Sequence, residues 1–259
     1  MGELDDRQSA SAGQFDRQSD RYGRSHILAD TSDVDAALEG IAPSGNALAL
    51  DVATGGGHTA LWLARHGWKV TAGDVSQRML ENTSRLLAEE GFQLETRLFP
   101  AEEIPFADAS FDMVTCRVAA HHFSSPEGFV KEVARVLRPG GYFLLIDGTV
   151  PDNNPISEEW LHRVEKWRDP SHGRFLPRKD WVNLTLSNGF TILKSEIHPK
   201  KQPDLEWYFE TAATTTENRA LVREAVATAP DEVRHSLRIG EEEGKTVWWW
   251  PILRLVARK

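Results

Sequence analysis

The sequence predicts an α/β fold, a doubly wound and mostly parallel sheet with helices on both faces, and three observations carry that prediction. From about residue 46, short apolar runs alternate with longer stretches of helical period, the pattern of a parallel sheet covered on both sides. Three consecutive glycines, Gly55, Gly56 and Gly57, join the first run to the first such stretch. A chain of 259 residues, 40% hydrophobic and 27% charged, can bury one large core without staples.

The elements follow in order. Leu48 to Val52 reads as the first strand, and the glycine turn opens a helix through Leu61, Leu63 and Ala64. The next strand, K-V-T-A-G-D, ends at Asp74. Ser76 is placed to cap a helix whose residues Met79, Leu80, Thr83, Leu86 and Leu87 recur at helical spacing until Gly91 stops it. Phe111 to Cys116 reads as a buried strand, and Ser125 followed by Pro126 opens a helix with Phe129, Val130, Val133, Ala134 and Leu137 on one face. Pro139, Gly140 and Gly141 end it, and Tyr142 to Ile146 is a continuous apolar strand.

Beyond residue 148 prolines break the rhythm. Phe190 to Ile197 and Val247 to Val256 still read as strands, and pairing as a closing hairpin would set the last strand antiparallel to the rest. The remaining segments, about 150–180 and 200–240, are expected to form a helical cap. Residues 1–45 are expected to be an N-terminal arm with helices that cover a ligand, before a domain over 46–259, with residues 1–13 disordered or ordered only over a ligand.

Composition narrows the function classes. The lone cysteine, Cys116, permits no intrachain disulfide and fits a reducing compartment. The N-terminus has neither a basic start nor an apolar stretch, Asp6 stands where myristoylation wants Ser or Thr, and no segment approaches the roughly 18 apolar residues of a membrane span. A cytoplasmic location with no membrane partner is expected. The formal net charge of −9 opposes polyanions, so no nucleic-acid partner is expected either.

Glycines at a strand-to-helix turn let a ligand approach the backbone, and the helix start presents N–H groups to it. Asp51 ends the strand before the turn, and Asp74 lies 23 residues further on, where an acid accepts hydrogen bonds from a ribose diol. Capping of the following helix is the other reading of Asp74. Gly55, Gly57 and Ala60 also fit the dinucleotide pattern G-x-G-x-x-A, which leaves an NAD(P)-dependent oxidoreductase as the alternative. Asp51 speaks against that reading, because a carboxylate repels a pyrophosphate and stabilises a cation.

A family resemblance adds to these residues. D-V-A-T-G-G-G-H at 51–58 resembles the first motif of class I S-adenosylmethionine-dependent methyltransferases of type 11, nearest the quinone-biosynthesis C-methyltransferases. A-E-E-I-P-F at 101–106, S-F-D-M-V at 110–114 and E-V-A-R-V-L-R-P-G-G at 132–141 resemble the family's later motifs, in the same order. T-C-R-V-A-A-H-H-F at 115–123 and R-D-P-S-H at 168–172 resemble a bacterial subgroup acting on small molecules.

The resemblance implies a Rossmann-like, seven-stranded sheet and an enzyme that transfers a methyl group from S-adenosyl-L-methionine to a small-molecule acceptor, as monomer or homodimer. A non-catalytic relative that only binds the cofactor is the third possibility. Carried over by position, Asp51, Ala53, Thr54, Gly55 and Gly57 contact the methionine part and Asp74 the ribose. Val75 and Met79 pack on the adenine, with Ala101 giving backbone contact, Glu102 nearby and Tyr22 in a stretch that covers the cofactor. Ala53 replaces the first glycine of the family's loop, and Pro100 stands where many members have an acid for the adenine amine.

In-line displacement needs alignment, a dry cleft and sometimes a base. Arg117, His121 and His122 follow a strand at the carboxyl edge, where open sheets bind ligands; Arg117 is a candidate active-site and cofactor-contacting residue, and either histidine is a candidate base or a partner of loop backbone. Arg168, His172 and Arg174, with Asp169, form a polar cluster that suits an anionic acceptor group or a salt-bridged loop. Nine scattered histidines show no ligand spacing, and no metal is expected. Trp248 to Trp250 alternate across a strand, as core or as pocket lining, and Cys116 reads as a core residue.

Overall fold

The computed structural model describes residues 4–22 and 26–259, without the side chains at 18, 20–22, 26 and 27. Three helices precede the sheet: α1 (Asp6–Tyr22), α2 (His26–Ala29) and α3 (Ser32–Ala37). Then come β1 (Leu48–Val52), α4 (His58–Arg65), β2 (Lys69–Asp74), α5 (Gln77–Glu89), β3 (Glu95–Leu98), β4 (Phe111–Arg117), a 3-10 turn (Ala120–His122), α6 (Pro126–Val136) and β5 (Leu137–Gly148). The second half holds α7 (Pro155–Arg168), α8 (Arg178–Ser187), β6 (Thr191–Gln202), α9 (Leu205–Thr211), α10 (Thr216–Ala227), α11 (Asp231–Ser236), β7 (Gly240–Glu242) and β8 (Lys245–Arg258).

The sheet order is β3-β2-β1-β4-β5-β8-β6, with the short β7 paired only to β8. The first five strands run parallel, and β8 lies antiparallel between β5 and β6. The expected hairpin between the two late strands therefore forms, with the chain's last strand as the antiparallel one. The order reverses between β1 and β4, and at such a switch point the loops diverge and leave a crevice above the carboxyl ends.

Side chains of each central strand alternate between two apolar layers. Leu50, Val52, Val114, Cys116, Phe143 and Leu145 face α6 and α8 through Phe129, Val130, Val133 and Trp181. Ala49, Met113, Leu144 and Ile146 face α3, α4 and α5 through Val34, Leu61, Leu63 and Leu87. A third core, around Trp160, Leu161, Val164, Tyr208, Phe209, Val222 and Trp248, belongs to the cap. The predicted caps form: Ser76 Oγ accepts from Met79 N at 3.1 Å and Ser125 Oγ from Gly128 N at 3.0 Å.

Two differences from expectation bear on the site. Of residues 1–13, expected to be disordered or to order only over a ligand, 1–3 lie outside the described residues and 6–13 belong to α1, because polar contacts with the core take the place of an apolar stripe: Asp5 accepts from Ser124 Oγ at 2.9 Å, and Gln8 Nε2 donates to Glu102 at 3.0 Å. Strand β3 has no counterpart in the apolar pattern, since its sequence, E-T-R-L, alternates exposed and half-buried positions at the sheet's edge. Among the described residues no helix is long and apolar enough to cross a membrane.

Candidate active site

A cleft with about 860 Å³ of open space lies over the carboxyl ends of β1, β2 and β4. Its floor is the turn from Ala53 to Gly56, and one wall is formed by Asp74, Val75, Met79 and the stretch Phe99–Glu102. Arg117 to Ala119, His122 and Phe123 form the opposite wall, and Gln8, Ser11 and Phe15 of α1 close the cleft.

The turn is shaped by residues that need positive φ. Gly55 has φ +54° and directs its N–H to Asp74 Oδ2 at 2.9 Å. Gly57, at φ +84°, is also a packing glycine: a Cβ there would meet Thr83 Cγ2 at 2.9 Å, and Gly57 does not line the cleft. Ala53 adopts φ +53° despite its methyl group and does line it.

The two acids play different parts. Asp74 faces the cleft, with Oδ1 accepting from Ser76 N at 2.9 Å and Oδ2 from Gly55 N, so the turn, the strand and α5 are tied at one carboxylate. Asp51 lies beneath the turn and does not line the cleft. Its Oδ1 accepts from Thr115 Oγ1 at 2.6 Å and its Oδ2 from Thr54 Oγ1 at 2.7 Å. Burial pushes both carboxyls up to about 6, against the hydrogen bonds that favour their charged forms. Two acids so placed gain from a ligand that brings cationic charge and hydroxyl donors, and would repel a pyrophosphate.

At the other wall Arg117 is a clamp. Its guanidinium bonds to Asp33 Oδ2 at 2.9 Å, Leu28 O at 2.8 Å and Asp30 O at 2.6 Å, which pins the segment between α2 and α3 to the end of β4. His122 lines the cleft. Its Nδ1 meets the carbonyl of Ser171 at 3.1 Å, and a carbonyl only accepts, so Nδ1 carries the proton and Nε2 the lone pair. Burial, then the charge of His121, keeps His122 neutral by lowering its pKa.

His121 stands behind it, ring centroids 4.2 Å apart, and donates from Nδ1 to Asp147 Oδ1 at 2.7 Å. Burial disfavours the imidazolium, but Asp147, with Glu165 and Asp169, outweighs it and raises the pKa above the ordinary 6.5. His121 does not line the cleft. The dyad resembles the His–carboxylate arrangement that orients an imidazole and stabilises its charged form.

The structure does not bring Arg168, His172 and Arg174 to one pocket. Arg168 turns into the cap, bonding to Tyr208 O at 3.1 Å and Glu165 Oε2 at 3.3 Å, because the buried Glu165 needs a cation. Arg174 is on the exterior, 58% exposed, paired with Glu158 at 2.6 Å. His172 is buried among His121, His162 and Phe175 and is held neutral by that burial. Glu102 lines the cleft, but its carboxylate caps Ser124 N and Ser125 N. The side chain of Tyr22 lies outside the described residues. Gly55, Thr54, Ala53, Asp74, Val75, Met79, Ala101, Glu102, Arg117 and His122 do converge on the cleft. Sequence reasoning missed Gln8, Ser11, Phe15, His58 and Asp147. Asp147 carried a signal, a carboxylate at the carboxyl end of an apolar strand; within the expected covering helices, Gln8, Ser11 and Phe15 carried none of their own.

Comparison with known proteins completes this geometry. A family profile described as a methyltransferase domain matches residues 50–145, from β1 into β5. The uncharacterised methyltransferase YcgJ of Bacillus subtilis is 33% identical over 175 residues, 67% of this chain and 69% of that one. The ubiquinone/menaquinone biosynthesis C-methyltransferase of Desulfotalea psychrophila is 36% identical over 109 residues, 41% of this chain and 44% of its own length. A crystal structure from Bacillus halodurans, named as a methyltransferase, is 34% identical and superposes with TM-score 0.82 over 88% of this chain and 99% of that one. At 15% identity and TM-score 0.62, over 88% of this chain and 80% of that one, the geranyl diphosphate C-methyltransferase of Streptomyces coelicolor, solved with S-adenosyl-L-homocysteine, shares the fold alone. With a matching domain profile and a relative aligned over two thirds of both chains, this chain belongs to the methyltransferase domain family.

Proposed function

We propose that this chain is an S-adenosylmethionine-dependent methyltransferase acting on a small-molecule acceptor. The observation that carries the reading is Asp74: a buried carboxylate at the carboxyl end of β2, tied to the glycine turn through Gly55 N and open to the cleft. The chain's residues fit the donor. Asp74 would accept from the ribose hydroxyls; Ala53, Thr54 and Gly55 would hold the amino-acid end; and Val75, Met79 and Phe99 would supply apolar contact for the base. Asp51, beneath the turn, would add negative potential for the donor's sulfonium and ammonium. When bound, the donor supplies an electrophilic methyl and its own leaving group.

The chain's part is then alignment, exclusion of water by α1, and a hydrogen-bond acceptor that orients the acceptor molecule. His122, with Nδ1–H fixed on Ser171 O, presents Nε2 as an acceptor at the cleft wall, and the His121–Asp147 dyad behind it sets the field in which that imidazole works. The acidic chain, with net charge −9, favours a small acceptor over a polyanion.

Calorimetry tests the reading. The protein is expected to bind S-adenosylhomocysteine and to ignore NAD. Loss of a charge-assisted hydrogen bond, about 1.5–3 kcal/mol, makes Asp74→Ala weaken that binding by roughly tenfold or more. An unchanged dissociation constant would remove Asp74 from the ribose, and no binding by the wild-type protein would end the proposal.

A further inference from the structure

We infer that Ser11, on the inner face of α1, accepts a hydrogen bond from the adenine amine of the methyl donor and so supplies the base recognition that Pro100 lacks. The inference rests on the donor reading above and assigns a residue to it.

Pro100 lines the cleft after β3 with no polar side-chain atom and no N–H. Glu102, two residues on, is the carboxylate in line to take over the amine, yet both its oxygens already accept from protein donors. Oε1 accepts from Ser124 N at 2.7 Å and Ser125 N at 3.1 Å, and Oε2 accepts from Gln8 Nε2 at 3.0 Å. It holds the loop before α6 and the start of α1.

Ser11 is in the opposite condition. It lines the cleft, is 5% exposed, and its Oγ has no hydrogen-bond partner among the described residues. Buried hydroxyls are paired in the great majority of folded proteins, so an unpaired one in a cleft wall marks where a ligand completes the bond.

Its position follows from the helix. Gln8, Ser11 and Phe15 are three and four residues apart and share one face. Gln8 is fixed on Glu102, two residues from Pro100, and Ser11 stands about 4.5 Å further along the axis. Phe15 meets the ring of His122 edge-on at 4.9 Å. The helix is pinned on both sides of Ser11: Arg7 donates to Phe123 O at 3.2 Å, Ser76 Oγ to Asp16 Oδ1 at 2.5 Å, and Asn82 Nδ2 to Ser19 O at 2.9 Å. The hydroxyl is thus held in the cleft wall, one helical turn from the Gln8–Glu102 bond, by contacts that do not involve it.

Ser11→Ala is the decisive variant, because deleting an unpaired buried hydroxyl is neutral or stabilising for the free protein. Its unliganded melting temperature should equal or exceed that of the wild type. Binding of S-adenosylhomocysteine should weaken about three- to tenfold, the range for one neutral hydrogen bond. The matching ligand is the purine analogue of S-adenosylhomocysteine lacking the 6-amino group. The wild type should bind it three- to tenfold more weakly than the parent, and Ser11→Ala should bind it as the wild type does. Equal losses for both ligands, or no loss for either, would overturn the assignment while leaving the donor reading standing. A wild-type protein that binds neither ligand would overturn both.

Discussion

The donor side of the cleft and the cap that faces it bury charge in opposite ways. In the cap, Glu165 is 1% exposed on its side chain and fully served: Tyr208 Oη donates to it at 2.6 Å, Trp250 Nε1 at 2.8 Å, and Arg168 pairs with it at 3.3 Å. The Arg168 guanidinium in turn stacks over Tyr208 at 4.6 Å and Trp250 at 5.0 Å. On the donor side, Asp51 and Asp74 hold only hydroxyl and amide donors, and neither is hydrogen-bonded to a cation among the described residues. A buried acid closed by its own arginine is scaffold. One left without a cation, beside an open cleft, is a site that a cationic ligand completes.

The sharpest way to break this contrast is to remove one acid from each region. Glu165→Ala takes the carboxylate from a largely enclosed guanidinium and leaves two ring donors unpaired, and is expected to cost on the order of 3–5 kcal/mol in urea unfolding. Asp74→Ala, whose lost partners are two backbone N–H groups, should cost the unliganded protein less than half as much. Equal losses would mean that both acids are scaffold.

The same contrast governs what could be read from sequence. β1, β2, β4, the start of α5 at Ser76 and the start of α6 at Ser125–Pro126 were legible because each is written locally, as an apolar run, a cap or a helix-opening proline. The acids Asp51 and Asp74 were legible because their place at strand ends is local too. Closure of Glu165 by Tyr208 and Trp250 joins residues 43 and 85 positions apart, and no short-range pattern announces it. Helices are expected over residues 1–45, but the first half of α1 is expected to lack order, for a different reason. The helix is held by polar contacts with Glu102, Ser76 and Asn82, so its sequence carries no apolar stripe.

His121 lies between the two regions and sharpens the contrast through pH. Its pKa stands above 6.5 because Asp147 on β5, then Glu165 on α7 and Asp169 in the following loop, outweigh burial; His122 and His172 are the neutral imidazoles beside it. A raised folded-state pKa gives stability that is fully present below pH 6.5 and is lost as pH rises through the folded value. In Asp147→Asn the carboxylate is gone and burial prevails, so the His121 ring should titrate below 6.5 by NMR. The variant should lose roughly 1–3 kcal/mol at pH 6, where His121 is charged, and less once the pH has risen through the folded pKa of His121 and Asp147 is a buried charge without a cationic partner. A His121 titration that ignores Asp147→Asn would place the imidazole's control elsewhere.

The smallest expected effect lies in the turn itself. Ala53 holds φ +53°, a left-handed conformation that costs a residue with a Cβ about 1–2 kcal/mol. Glycine would relieve that strain but enters folding with a more flexible unfolded chain, a penalty of about 0.5–1 kcal/mol. Ala53→Gly should therefore raise stability by roughly 0.5–1 kcal/mol, read as an increased denaturation midpoint at constant slope. Its effect on donor affinity should be opposite in sign and slight, because the alanine limits the turn to the curvature that places Gly55 N on Asp74 before any ligand arrives. A variant that is less stable and binds more tightly would show that the methyl group is packed against its surroundings, and that the turn's shape comes from contact and not from backbone strain.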